Sequence, residues 1–404
     1  MISTDFAPNE EWNDAWASFK LLFQPWRWKR GVETEIIKKN ILDKFFPNRH
    51  IALFLTGRAA LYYLLKSLHL PSGSEVLVQG FTCEAVVLPI IAAGLKPIYI
   101  DIESDTFSMD INSLTRKLVN NGTNKTRVLI LQHTFGLTPK YREQILSLAK
   151  KYNLIVIEDL AHGFDPTLFK SINYQLLTTT YYLLSFGRSK AISSVFGGAI
   201  VTSNQLTQLS LIQPSYLFIF RLLLYKPLAM IIKSTFDFYI GKVIHFLTVR
   251  TGLIVPEISK KEKNTEYDKM YEKAYPNALS ILLLNQLKKY DRMLKIRSKS
   301  CEGYQRILAG KTGIKFPKTD LPLIRFPVLV KNRDEIIAKA AKANIFLGKW
   351  YDHVVAPKSI NLSKAYYKMT CCIKAEELTR AVVNLPTLIP DEEKSLKKCI
   401  NFLH

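Results

Sequence analysis

From residue 51 to residue 202 short apolar runs alternate with stretches of helical periodicity, and no other feature limits the possible folds as much. IALFLT (51–56) leads into RAALYYLLKSLHL, EVLVQ (75–79) into EAVVLPIIAAG, and KPIYID (96–101) into DINSLTRKLV. RVLILQ (127–132) precedes YREQILSLAKKY, whose Lys-rich end suits a helix C-terminus. NLIVIED (153–159), YYLLSF (181–186) and GGAIVT (197–202) complete the set. Repeated units of this kind build an α/β domain with a mostly parallel central sheet flanked by helices. At 404 residues the chain exceeds what one core usually organises, so a smaller second domain is expected. Its elements are LIRFPVLV as a strand, RDEIIAKAAKAN as a helix and EEKSLKKCINFL as the closing helix. The expected division is an aromatic-rich helical segment (1–50), a large domain (51–211), an apolar and basic helical insertion (212–258), a connector with a long helix (259–304), and a small C-terminal α/β domain (305–404).

Two regions break the alternation. Trp12, Trp16, Phe19 and Phe23 recur at helical spacing, with Trp26 and Trp28 after Pro25. Such a helix docks on the protein's own core or on a second subunit, or anchors on a membrane surface. Residues 213–256 mix Phe, Tyr and Leu with Arg221, Lys226 and Lys233, and Pro227 breaks the helical run, so the ~20 unbroken apolar residues of a spanning helix are missing. One or two helices lying in an anionic bilayer surface, with these cations near the headgroups, stand against a buried hairpin or dimer contact. KKEKNTEYDKMYEK (260–273) reads as a solvated connector.

The net charge of +22 would attract nucleic acid, anionic lipid or phosphate-bearing substrates. No nucleic-acid recognition motif accompanies the scattered cations, so nucleic acid is not expected as a partner. Cys83, Cys301, Cys371, Cys372 and Cys399 form no Cys-x-x-Cys pair, and no metal site is expected. With acidic residues where a signal peptide carries its basic region, the cytoplasm is the expected location, with the inner face of the cytoplasmic membrane as its refinement.

Ligands of open α/β sheets sit at the carboxyl ends of parallel strands. Asp159 ends one strand run, as a turn or cap residue or as a partner for a protonated ring nitrogen. Lys190 follows five residues after Ser185. It is a surface cation unless burial or nearby charge lowers its pKa, in which case it can form an imine with an aldehyde. Ser185 could donate to a phosphate.

The ordered series GRAAL (57–61), GFTCEAVVLPIIAAGLKPIYIDI (80–102), VIEDLAHGF (156–164), SFGRSK (185–190) and GGAIVT (197–202) resembles the DegT/StrS type of sugar aminotransferase. AEELTRAVVNLPTLIPDEE (375–393) looks like that family's final segment. The likeness covers residues 50–204 well and 276–400 more loosely. It implies the aspartate-aminotransferase fold (fold type I) with pyridoxal 5'-phosphate (PLP) as cofactor, and a homodimer with active sites at the subunit interface. It makes Lys190 the Schiff-base lysine, Asp159 the partner of the pyridine nitrogen and His162 a neighbour of the cofactor's phenolic oxygen. Ser185 and the amides of Arg58 and Ala59, at the helix start opened by Gly57, would bind the phosphate.

The departures from the pattern are specific. Arg58 replaces a small hydroxyl residue and would reach the phosphate or a phosphorylated substrate. Cys83 stands where an aromatic ring stacks on the cofactor, with Phe81 as a possible substitute. Val195-Phe196-Gly197-Gly198 replaces Gly-Glu-Gly-Gly, its glycines allowing a close approach or a tight turn. Asn277 is the candidate for the cross-subunit phosphate contact, and His353 in WYDHVVAP (350–357) for substrate contact. The family's 3-dehydratases carry His in place of the lysine, so Lys190 implies transamination from a donor such as glutamate to a keto sugar, usually nucleotide-linked, for a polysaccharide or other glycoconjugate. The rival reading is a non-catalytic, membrane-associated partner that keeps the fold.

Overall fold

The computed structural model describes residues 1–120, 125–168, 180–204, 211–389 and 393–403. Its centre is a seven-stranded sheet: β1 (His50–Phe54), β2 (Glu75–Gln79), β3 (Lys96–Ile100), β4 (Thr126–Gln132), β5 (Ile155–Asp159), β6 (Thr180–Ser185) and β7 (Gly198–Thr202). The spatial order is β1-β7-β6-β5-β4-β2-β3. β7 runs antiparallel to both neighbours, whereas β6, β5, β4, β2 and β3 are mutually parallel. β2, β5 and β7 are buried almost throughout, which is why they read as continuous apolar runs rather than as alternation. Parallel pairing brings the carboxyl ends together: Gln132 lies beside Asp159, and Asp159 beside Leu183, two residues before the end of β6.

The C-terminal region has its own core, built on the antiparallel strands Arg325–Leu329 and Val382–Pro386 and closed by the helices Tyr290–Leu308, Ile373–Ala381 and Glu393–Ile400. Residues 390–392, the end of the family-like closing motif, lie outside the described residues. Two short pairings stitch this region to the rest. Ile2–Ser3 runs parallel to Ile345–Phe346, and Val355–Ala356 runs parallel to Thr82–Cys83 at the sheet's carboxyl edge.

The N-terminal helix Trp12–Leu22 packs on the helix Tyr225–Thr235, which packs in turn on Ile240–Arg250, so the N-terminal segment and the insertion form one helical layer. A helix Tyr216–Leu223 precedes the two insertion helices; the break before Tyr225 leaves Pro227 in the first turn of the next helix, where its missing N–H costs nothing. Of the readings of this helix, docking of Trp12, Trp16, Phe19 and Phe23 on the protein's own core is corrected, since all four are exposed; a second subunit or a membrane surface is left to cover them. The helix turns Asp14, Ala15, Ser18 and Leu21 inward. The physical reason is polar pairing: Asp14 accepts from Asn285 at 2.8 Å and meets Lys289, while Ser18 Oγ donates to the Leu223 carbonyl at 2.7 Å.

The insertion's cations are also redirected. Lys226 is buried against Glu10 at 2.6 Å, Lys233 donates to the Ala7 carbonyl at 3.0 Å, and Arg221 binds the Gly252 carbonyl, so none of the three is placed for headgroups. The connector is not solvated throughout either: Glu262 and Tyr271 are buried, and Glu262 closes a capping box with Ser259.

Candidate active site

The carboxyl ends of the parallel strands floor a cavity of about 320 Å³, within the size range of small-molecule sites. Asp159 ends β5 and Ser185 ends β6; Asp159, His162, Ser185 and Lys190 all line the cavity. After Ser185 the chain turns sharply, and the Lys190 N–H donates to the Gly187 carbonyl at 3.2 Å. The Lys190 carbonyl accepts from Asn9 Nδ2 at 2.5 Å, and Asn9 Oδ1 accepts from buried Arg297 at 2.8 Å. The N-terminal segment therefore pins the lysine's backbone, leaving its side chain in the cavity with Nζ 5.0 Å from the centre of the Trp350 ring.

Burial lowers the Lys190 ammonium pKa; Cys83 and Asp159 oppose the shift and Arg325 adds to it. Burial raises the Asp159 carboxyl above its usual range, against the Ala161 N–H that Oδ1 accepts at 2.9 Å and the charge of Lys190. His162 is held well below 6.5 by burial and by the cations Lys190 and Arg325. Its Nδ1 accepts the Phe135 N–H at 3.1 Å, which assigns the neutral ring's proton to Nε2, 3.4 Å from the Tyr351 hydroxyl. The ring packs beside Trp350 and near-parallel to Phe135.

An anion corner lies at the start of the helix Gly57–Ser67. Thr56 caps this helix by accepting the Ala59 N–H at 3.2 Å, which takes up one of the two amides expected for phosphate and leaves those of Gly57 and Arg58 at the helix mouth. A Cβ on Gly57 would lie 3.5 Å from Ser185 Oγ, so backbone and hydroxyl share this corner. Arg58 lines the cavity, but its guanidinium binds buried Glu262 and donates to the Glu257 carbonyl at 2.7 Å, so its charge is matched within the protein.

The sequence profile of the DegT/DnrJ/EryC1/StrS aminotransferase family matches residues 22–212 and 260–403, leaving the insertion outside the match. The chain belongs to this family. It is 33% identical over 166 residues to GDP-perosamine synthase of Escherichia coli O157:H7, an alignment covering 40% of this chain and 44% of that protein. The chain thus spans under half the length of this curated relative. It is 23% identical to the UDP-4-amino-4-deoxy-L-arabinose–oxoglutarate aminotransferase of Shewanella sediminis, across 88% of this chain and 82% of that one. The crystal structure of a family member from Brucella abortus superposes with a TM-score of 0.68 at 17% identity, covering 97% of this chain and 94% of that chain, a likeness of fold.

The family's cofactor, PLP, fits the residues present. An amine of lowered pKa, a buried carboxylate and a helix mouth beside a hydroxyl surround one cavity, matching an aldehyde, a cationic ring nitrogen and a phosphate in turn. Lys190, Asp159 and the Ser185–Gly57 corner would hold it, with Cys83 and His162 on the walls.

Besides Ala59, whose amide Thr56 takes, three sequence-named candidates are not brought to this site. Phe81 does not line the cavity: it is buried among Phe107, Phe135 and Tyr351 in the C-terminal core, so it is no substitute stacking ring. Asn277 is saturated, donating to the Arg27 carbonyl and Glu33 and accepting from the Thr34 N–H and hydroxyl, and it ties the N-terminal segment to the helix Asn277–Leu287. His353 also lies off the cavity, whereas its neighbours Trp350, Tyr351 and Asp352 line it, because the 355–356 pairing with Thr82–Cys83 folds that loop over the sheet edge.

Sequence reasoning missed Trp350, Asp5 and Glu84. The Trp350 ring has the Arg325 guanidinium carbon 3.4 Å and Lys190 Nζ 5.0 Å from its centre. Glu84, beside Cys83, is buried on the cavity wall; burial, opposed by Arg58, brings its carboxyl up to about 7. The aromatic run WYDH was the available signal for Trp350, but only tertiary contact distinguishes it from His353.

Proposed function

We propose that the protein is a PLP-dependent aminotransferase that moves an amino group, from glutamate or a similar donor, onto the keto group of a nucleotide-linked sugar destined for a polysaccharide or glycoconjugate. The observation that carries this reading is the convergence of Lys190, Asp159 and the Ser185–Gly57 corner on one cavity at the sheet's carboxyl edge. The sugar-nucleotide names of the relatives support the substrate class. When bound, PLP supplies an electron sink that stabilises negative charge at the amino-bearing carbon. Asp159 presents the carboxylate that keeps a ring nitrogen cationic. Lys190 Nζ is the proton carrier, and its burial-lowered pKa makes it release a proton more readily near neutral pH. His162, neutral with its proton on Nε2, can donate toward the cofactor's phenolic oxygen without adding charge.

The protein is expected to show the visible absorbance of lysine-bound PLP and to lose it in Lys190→Ala; no band in the purified protein would refute the assignment. The same reading makes the protein a homodimer that works at the cytoplasmic face of the membrane. A second reading, a cofactor-binding partner without turnover, is favoured by Cys83 at the cavity wall where a stacking ring is expected. Aminated product in a screen of nucleotide-linked keto sugars with glutamate decides against it.

A further inference from the structure

The helical layer formed by Trp12–Leu22, Tyr225–Thr235 and Ile240–Arg250 is turned inside out relative to an ordinary surface layer. Three of its charged groups face inward: Asp14 toward Lys289, Lys226 toward Glu10 and the Ser193 carbonyl at 3.0 Å, Lys233 toward the Ala7 carbonyl. Its aromatic and aliphatic groups face outward. Trp12, Trp16 and Phe23 each expose more than half of their surface, as do Val243 and Phe246. Scattered exposed apolar residues are normal on a protein surface, but sets repeating at helical spacing on Trp12–Leu22 and Ile240–Arg250, the two helices that both pack on Tyr225–Thr235, mark a contact site.

We propose that this layer docks on the surface of an anionic lipid bilayer; the inference rests on the membrane location proposed above and identifies the surface responsible. Charge selects this occupant. Lys20, Lys242 and Arg250 lie over the outward rings, at 5.8 Å from Trp16, 4.3 Å from Tyr239 and 5.8 Å from Phe246. The one acidic residue between 211 and 250, Asp237, is already paired with the Met1 amino group at 3.1 Å. A second copy seated on the same face would set these cations against their own kind, whereas anionic headgroups complement them. Aromatic rings at headgroup level with Lys and Arg beside them are the composition of a helix lying in the interface. Among the described residues no helix is long and apolar enough to cross a membrane, so the contact is peripheral. The inward ties reach the lysine loop through Ser193, so a docked layer would hold the cavity in a fixed orientation to the lipid surface.

The test is sedimentation of the full-length protein with vesicles of phosphatidylcholine alone and of phosphatidylcholine with phosphatidylglycerol, at low and high salt. Binding to the anionic vesicles, weakened by salt, is expected. The combined variant Trp12→Ser, Trp16→Ser, Phe246→Ser should bind at least about tenfold more weakly. Lys242→Glu with Arg250→Glu should do the same and guards against misfolding of the first variant. Equal recovery in the supernatant with both vesicle types overturns the proposal. So does wild-type protein that stays in solution and falls to half its mass in the aromatic variant, because the face would then join two copies. Lys190→Ala should dock like the wild type, so loss of the cofactor reading and loss of vesicle binding remain separate results.

Discussion

Adjacent residues on one strand carry opposite duties. Glu158 and Asp159 end β5 side by side, and alternation sends them to opposite faces of the sheet. Asp159 meets the cavity, while Glu158 is buried behind it, taking two hydrogen bonds from Arg142, at 2.8 and 2.7 Å, and meeting His133 at 2.9 Å. Burial alone would raise the Glu158 carboxyl pKa, but His133 and Arg142 outweigh it and hold it at about 2. A depressed carboxyl pKa stabilises the fold above the unfolded value of 4.5 and loses that contribution as pH falls through about 2. Arg142→Met should therefore cost ~3–5 kcal/mol in denaturant unfolding near neutral pH, and its deficit relative to wild type should narrow across that acid window. A pH-independent deficit would show that Arg142 acts through packing instead.

At the scale of elements, the proposed phosphate corner depends on how closely a helix start can approach an antiparallel strand. Gly198 opens β7 between Phe54 of β1 and Ser185 of β6. A Cβ there would fall 2.4 Å from the Gly57 nitrogen and 2.6 Å from the Thr56 carbonyl carbon, both backbone atoms that cannot swing aside. Of the two sequence readings of these glycines, close approach is thus the one that applies at Gly198. Gly198→Ala should push the helix Gly57–Ser67 away from Ser185, lowering stability by about 1–3 kcal/mol and weakening PLP binding in an absorbance titration. Unchanged affinity would remove the helix mouth from the phosphate site. The connector shows the same dependence on distant partners: its polar sequence reads as solvated, yet Arg58 draws Glu262 inside.

For the molecule as a whole, the homodimer proposal is tested by light scattering, which should give twice the monomer mass, independent of the aromatic variants of the docking layer. The described strand and helix runs of residues 51–202 were legible in the sequence because the buried strands are apolar nearly throughout and most of the helices, though not the uniformly apolar Glu84–Ala92, repeat with their own period. Lys190, Asp159, His162 and Ser185 were named together only through the ordered family-like motifs, since each alone reads equally as a cap, core or surface residue; the structure places all four on one cavity. The orientation of the N-terminal helix was not. Periodicity finds an apolar face but not the side that carries it, and here Asp14 and Ser18 have partners some 200 to 270 residues away. The same limit explains Trp350, Phe81 and Asn277. The sequence by itself determined the sheet's elements and the family; tertiary structure alone decided which side chains share the cavity and which rings face the outside, because those choices depend on contacts that no local pattern encodes.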